Sequence, residues 1–252
     1  MIQNLDDLQE IGSPPIASND KSPSGRSFVN IWVLVRDFTP YILALREKFP
    51  EIPLEANAGI GYVYIDHDAG ISMKVEYLCT IGSRTDPITA VLLLEDMVSL
   101  KLRYSALKNL TLYQFTLGQI QDLGISPVPD WLKFYETPDL MSIRSLTWLD
   151  PFRARGFFDD VMAVLPRTGG DVPELIWVRL QRYIEDIDRF HGTLLNEPFR
   201  DYGIHRNDLI EVQVVRNPDG ITLVAIPSKV SREKGTDSNS LGNPPDLEGF
   251  LC

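Results

Sequence analysis

Residues 196–198, Asn-Glu-Pro, place an amide and a carboxylate beside a rigid proline ring. His191 precedes this run and His205 follows it, so two imidazoles flank the Glu197 carboxylate along the chain. Two histidines and a glutamate form a known type of zinc site in hydrolases, so a small metal-dependent hydrolase using His191, Glu197 and His205 is one hypothesis. Nothing in the spacing requires the three side chains to converge, and the sequence therefore favours a structural role for them.

A binding role is a second hypothesis for the same stretch. Asn196, Glu197, Arg206 and Asp208 supply polar groups around Pro198, and we predict them as binding residues. In the structural alternative, Asn196 caps a turn through nearby backbone, and Glu197 accepts hydrogen bonds from a neighbouring strand. We predict no catalytic residue, no cofactor and no bound metal.

Two other charged runs have competing interpretations. Asp66-His67-Asp68 offers oxygen and nitrogen ligands to a divalent cation, but this pattern before Ala-Gly is typical of a hairpin turn. Arg153 and Arg155, near Asp159 and Asp160, could bind an anion, although a solvated loop whose charges pair with each other is the preferred interpretation. The sequence contains no nucleophile elbow, no His-Glu-x-x-His and no phosphate-binding glycine loop.

The polar run lies among strands. In the last third of the chain, apolar and alternating runs predict antiparallel strands with tight connections, and hence a small barrel-like β module at 166–228. Trp177 stands in the apolar run of the first strand, so we predict that it packs in the core. The strands are expected at 174–180, 190–195, 209–215 and 221–226, with a glycine turn at 217–220.

Upstream, the mixture of element types predicts an α+β domain at 27–165. A strand is expected at 28–35, then a helix with Pro40 in its first turn and Pro50 beyond its end. A β-hairpin with one solvated face follows at 61–78. In the middle, 88–94 fits a strand or the start of a helix, 98–104 favours a strand, and 116–123 and 129–136 favour helices.

The run Gly192-Thr193-Leu194-Leu195-Asn196-Glu197-Pro198, with Trp177-Val178 before it and Asn207-Asp208 after it, resembles the bacterial domain of unknown function numbered 2314. That family is marked by Trp-Val, Gly-x-Leu-x-Asn-Glu-Pro and Gly-Asp, and the similarity spans 174–215. Asn207 stands where the family has glycine, and an Asp-Trp pair common in the family is absent. Because the family has no established activity, the resemblance implies a fold and a bacterial source.

Composition narrows the class of protein. The chain of 252 residues has a net charge of −11, and an acidic surface repels phosphate backbones, so no nucleic-acid partner is predicted. Two cysteines cannot form a disulfide framework, and Cys79 is expected as a buried thiol. The absence of a signal peptide and of a ~20-residue apolar run predicts a cytoplasmic protein without membrane contact. Residues 1–26 and 229–252 lack the apolar content needed for a core, so both termini are predicted to be disordered.

These features predict a non-catalytic, bacterial cytoplasmic protein that binds another protein. An immunity or accessory role beside a toxin or secretion system suits the acidity, because acidic inhibitors of basic partners gain association rate by electrostatic steering. The metal-dependent hydrolase on His191, Glu197 and His205 remains the alternative.

Overall fold

The chain folds as two units, each with its own sheet. The computed structural model describes residues 7–12, 25–36, 38–82, 88–94, 99–166 and 173–229. Within these ranges the first unit ends at Leu132 and the second begins at Lys133. The sequence placed the division at 165/166 instead. That position lies inside the second sheet, because Phe157–Leu165 pairs with the strand that begins at Glu174.

In the first unit, short connections join strands into one antiparallel sheet. Its elements are β1 Gln9–Gly12, β2 Ile31–Val35, α1 Thr39–Lys48, β3 Ala58–Asp66, β4 Gly70–Thr80, β5 Thr89–Leu93, β6 Leu100–Arg103, α2 Tyr104–Leu107, β7 Leu112–Gln114 and α3 Leu117–Asp122. The strand order is β1-β7-β2-β3-β4-β5, and β6 also pairs with β4. The α+β class predicted for this part is confirmed.

The β3–β4 hairpin is closed by the chemistry of its turn. Asp66 Oδ1 accepts hydrogen bonds from the backbone N–H groups of Asp68 and Ala69, at 3.0 and 3.2 Å. Gly70 then takes a φ of 74°, a conformation that glycine adopts without strain. The Asp66-His67-Asp68 run therefore shapes the turn, as its interpretation as turn chemistry predicts.

An indole ring covers the polar side of this hairpin. Tyr62 of β3 lies opposite Lys74 of β4, and Trp131 stands over both. Its ring centroid is 6.2 Å from that of Tyr62 and 4.9 Å from the Lys74 ammonium. The Trp131 indole nitrogen also donates to Glu76 Oε1 at 2.6 Å. The face that the alternation predicted to be solvated is thus packed, because Trp131 returns to it from a distant turn.

The remaining predictions for the first unit hold in part. Pro40 lies in the first turn of α1, but the residue at the N-cap is Phe38, which makes no side-chain capping bond. The ambiguous 88–94 run is a strand, and Val98 lies outside the described residues. The helix expected at 129–136 is a short 3-10 turn, Asp130–Phe134.

The second unit is a closed five-stranded barrel with a small helical cover. Its elements are α4 Pro138–Ser145, β8 Arg153–Ala154, β9 Phe157–Leu165, β10 Glu174–Ile184, β11 Arg189–Leu194, β12 Leu209–Asn217 and β13 Gly220–Lys229. All four predicted strands are present. The fifth, β9, closes the barrel by pairing antiparallel with β10 and parallel with β13.

Buried ion pairs attach the helical segment to the barrel. Arg144 of α4 is bidentate to Asp159 of β9, with Nε–Oδ1 3.0 Å and Nη2–Oδ2 2.7 Å, and both side chains are buried. Arg153, also buried, pairs with Asp150 and donates to the Ile143 carbonyl. The expectation of a solvated loop is therefore wrong for Arg153, Asp159 and Asp160, whose side chains are buried in the fold, whereas Arg155 is exposed.

Some predictions concern the ends of the chain and its thiol. The disorder predicted for 1–26 does not extend to Gln9–Gly12, which forms β1, while 13–24 and 230–252 lie outside the described residues. Cys79 is buried as expected, and burial raises the pKa of its thiol to about 12. Among the helices that the structure describes, none has the length and hydropathy needed to cross a bilayer.

Candidate functional site

The predicted site lies in the loop 195–208, which connects β11 to β12. Backbone hydrogen bonds close the loop at its base: Leu194 N–H donates to Asp208 O at 2.9 Å, and Asn207 N–H donates to Leu194 O at 2.8 Å. Leu195 N–H donates to Trp177 O at 2.9 Å. The loop therefore leaves the barrel between paired strands, and its two ends are held together by main chain.

Asn196 extends the β10–β11 ladder beyond the point where the main chain leaves it. Its Oδ1 accepts from Trp177 N–H at 2.7 Å. The side-chain amide thus takes the place of the next backbone carbonyl, which is a typical use of asparagine at the end of a strand pair.

Glu197 holds the far side of the loop. Its Oε1 lies 2.8 Å from His205 Nδ1, and its Oε2 accepts from Arg206 N–H at 2.9 Å. Asp208 Oδ2 accepts from His205 N–H at 2.7 Å. The Arg206 N–H and the His205 ring both favour the ionised carboxylate, and they lower the pKa of Glu197. One carboxylate therefore clamps two neighbouring residues of the loop.

Backbone geometry explains the residue type at two positions of the pattern, 192 and 207. Asn207 has a φ of 74°, a region where asparagine is the best tolerated residue after glycine, which explains asparagine where the family has glycine. At Gly192 on β11, an added Cβ would lie 2.6 Å from both Arg179 O and Val178 Cγ1. Only glycine fits there without moving backbone.

The structure gathers all four predicted binding residues into one loop, but it uses them to bond the loop to itself and to β10. Asn196, Glu197 and Asp208 accept from backbone N–H groups, and Arg206 contributes its own N–H. The structural alternative therefore holds with the two partners exchanged: Asn196 accepts from the neighbouring strand β10, and Glu197 is bonded to nearby groups of its own loop.

The two histidines of the hydrolase hypothesis contact different glutamates. His205 faces Glu197, whereas His191, on β11, has its Nε2 3.7 Å from Glu211 Oε1 of β12. In the ranges that the structure describes, no group of three or more His, Cys, Asp or Glu side chains is placed to hold a metal ion.

Sequence reasoning missed an apolar patch on the outer surface of the barrel. Trp177 is 38% exposed and Leu175 57%, while Ile176 and Val178 between and beside them are buried. Met162 of β9, the register partner of Trp177, is also exposed. The prediction that Trp177 is core is wrong, because successive strand residues face opposite sides and Ile176 and Val178 occupy the inner one.

Phe199, in the loop 195–208, is a further exposed apolar side chain outside this group. It is 90% exposed, and its backbone N–H donates to Glu174 Oε1 at 2.5 Å, at the start of β10. We call Met162, Leu175 and Trp177 the apolar patch. The two-residue alternation of β10 was a signal that could have revealed it.

No family model matches the chain, and no curated protein or solved structure matches it either. The resemblance to domain 2314 therefore stays a prediction.

Proposed function

We propose that this chain is a non-catalytic protein that binds another protein through the apolar patch. The observation that carries the proposal is the exposure of Met162, Leu175 and Trp177 on the outer face of two paired barrel strands, β9 and β10. Neighbouring apolar side chains left in water are a mark of a surface that a partner covers. The proposal includes the cytoplasmic, bacterial setting and the accessory or immunity role predicted from the sequence.

The loop 195–208 supports a binding role for the patch in a different way from that predicted. Its polar groups are bonded internally, so their function in the proposal is to hold Phe199 in position against β10. A loop backbone that is already held in one conformation loses little conformational entropy on binding, which favours affinity. Asn196, Glu197, Arg206 and Asp208 are then supporting residues, and the contact with the partner is apolar.

Trp177 has the properties of a central anchor. It is half-buried, it lies on a strand and not on a loop, and Met162 and Leu175 flank it. Tryptophan is enriched among residues whose truncation costs at least ~2 kcal/mol of binding, which corresponds to about 30-fold in Kd. The net charge of −11 favours a basic partner, whose association such a charge accelerates.

Site-directed photo-crosslinking in cells that make the protein tests this proposal. A crosslinking phenylalanine analogue at Leu175 should give a discrete adduct with one protein, and the same analogue at Asp219, in the β12–β13 turn, serves as the control. Adding Trp177→Ala should abolish the Leu175 adduct while the barrel stays folded by circular dichroism. Equal adducts at Leu175 and Asp219, or no adduct at either, would contradict the proposal.

Metal analysis distinguishes the hydrolase alternative. Stoichiometric zinc in the purified protein, lost in both His191→Ala and His205→Ala, would replace the binding proposal with the metal-dependent one. We expect neither variant to change the metal content.

A further inference from the structure

The edge of the first sheet is completed by a short strand from a distant part of the chain. Among the strands that the structure describes, β1 pairs with β7 alone, through Gln9↔Gln114, Glu10↔Tyr113 and Gly12↔Leu112, with a bulge before Gly12. On its other side, β7 pairs with β2. Removing β1 would therefore make β7 the edge of the sheet, with a free row of backbone donors and acceptors.

A buried amide extends this edge. Gln119 of α3 is 8% exposed, and its Nε2 donates to the Asp7 carbonyl at 2.8 Å. The other end of the same amide, Oε1, accepts from Thr116 N–H at 2.7 Å in the capping box of α3. The capping box fixes the orientation of Gln119 without help from β1. The Gln119 Nε2 group, which donates to the Asp7 carbonyl, is thus held in position by the β7 side of the contact.

The segment 7–12, which consists of β1 and the two residues before it, contributes one buried side chain. Leu8 is 7% exposed, whereas Gln9 and Glu10 are exposed and Ile11 is half-buried. The backbone of the segment also binds the edge, through the three register pairs of β1 and the Asp7 carbonyl. Recognition of this kind requires an extended backbone and an apolar residue at one position, and it tolerates variation at the others.

We propose that the β7 edge, together with the Gln119 amide and the surface that buries Leu8, is an acceptor site for an extended peptide segment. In the free protein β1 occupies this site as an intramolecular ligand. A partner protein with a leucine-like residue in an extended segment replaces β1 and adds a strand to the sheet. This site belongs to the first unit, and it is independent of the apolar patch on the barrel.

Exchange is feasible because β1 is held by few contacts. Three register pairs and one apolar side chain give a weak intrinsic affinity, and tethering compensates by giving β1 a high effective concentration at its site. A partner segment with more register pairs, or one delivered by a second contact, would compete with β1. β7 would then exchange one antiparallel neighbour for another without a change in the rest of the sheet.

The experiment uses the chain without residues 1–12 and a synthetic peptide of residues 5–12, Leu-Asp-Asp-Leu-Gln-Glu-Ile-Gly. We expect the shortened chain to fold, to bind the peptide saturably by isothermal titration calorimetry, and to recover its lost thermal stability when the peptide is added. A peptide with Leu8→Asp should bind at least tenfold more weakly. The full-length chain should bind the peptide at least tenfold more weakly than the shortened chain does, because β1 competes.

A matched variant tests the amide. Gln119→Glu in the shortened chain keeps the oxygen that Thr116 N–H requires, but it replaces the donor facing the Asp7 carbonyl with an acceptor. Peptide binding should fall at least tenfold while the melting temperature without peptide stays close to that of the shortened chain. Unchanged peptide affinity in this variant would overturn the role of Gln119 in the site.

If the shortened chain does not fold, full-length Leu8→Asp is used as the acceptor instead. This variant keeps the full length of the chain but weakens the binding of its own β1 to the site. Saturable peptide binding to that variant supports the proposal. A folded acceptor that fails to bind the peptide at millimolar concentration would overturn it. So would the failure of both variants to fold, since β1 would then be an integral strand and not a replaceable one. None of these outcomes depends on the apolar patch.

Discussion

Replacing Asn196 with alanine separates a structural asparagine from a ligand-binding one. The variant removes the 2.7 Å hydrogen bond from Trp177 N–H to Asn196 Oδ1 and a longer one, 3.4 Å, from Asn196 Nδ2 to Glu197 O. It leaves the backbone of β10 in place, and the shorter bond dominates the expected loss. A hydrogen bond of this kind contributes a net ~0.5–1.5 kcal/mol, and the lower half applies here because the contact is solvent-exposed and water can replace the lost acceptor. We expect Asn196→Ala to lose about 0.5–1 kcal/mol.

The effect should be local, so amide hydrogen exchange is the appropriate assay. A loss of about 1 kcal/mol at the Trp177 amide corresponds to roughly fivefold faster exchange, while the amides of the inner strands should change little. Asn196→Asp keeps an acceptor oxygen at the same position and is the matched control, with an expected change of less than twofold. Unchanged exchange at Trp177 in Asn196→Ala, combined with loss of the Leu175 crosslink, would refute the structural role and make Asn196 a direct contact.

Three further predictions concern the barrel. Gly192→Ala should destabilise the second unit by about 1–3 kcal/mol, since the new methyl group meets the Arg179 carbonyl. The control is Gly118→Ala in α3, which has open space around it and should be neutral or stabilise by ~0.5–1 kcal/mol. Urea denaturation measures both changes. Asp159→Asn should cost about 3–5 kcal/mol by leaving Arg144 buried without its counter-charge, and the double variant Arg144→Met with Asp159→Leu should recover most of that loss; an equally unstable double variant would contradict this. Because the pKa of Glu197 is lowered in the folded protein, its clamp stabilises the loop fully above about pH 4.5, the ordinary pKa of a glutamate. This stabilisation is lost as the pH falls through the lower pKa of the folded state, so hydrogen exchange of the Arg206 amide should accelerate only there. Loss of protection between pH 7 and 6 would instead assign the effect to an imidazole.

The local patterns of the sequence were sufficient for four of the five barrel strands and for the hairpin. Leu209–Asn217 alternates buried and partly exposed residues with a period of two, and a turn with glycine at position 220 follows it, so pattern and turn chemistry agree. That Asn196 would accept a hydrogen bond from backbone was also predictable, because asparagine side chains commonly do so in connections between strands. Its donor, Trp177 N–H on the neighbouring strand β10, was not predicted.

The errors have a common cause in contacts between distant residues. The β9 strand contains Asp159 and Asp160, which a local pattern assigns to solvent, and only their pairing with Arg144 and Arg179 allows them inside the fold. The same limit applies to β1, whose partner strand lies about a hundred residues away and whose sequence has no clear alternation. Trp177 was misplaced for a different reason: its apolar neighbours were taken as a continuous run, although the alternation of the strand was present.

The closure of the barrel by β9 has a consequence for biosynthesis. β9 is the first of the five barrel strands to be made, yet one of its two barrel neighbours, β13, is the last. Until Gly220–Lys229 has left the ribosome, β9 and β12 each present an unsatisfied edge, and the nascent unit can form an open sheet but not the barrel. A premature stop within β13 would therefore give a product that is prone to aggregation, and chaperones that shield strand edges would act on this protein mainly at the end of its translation.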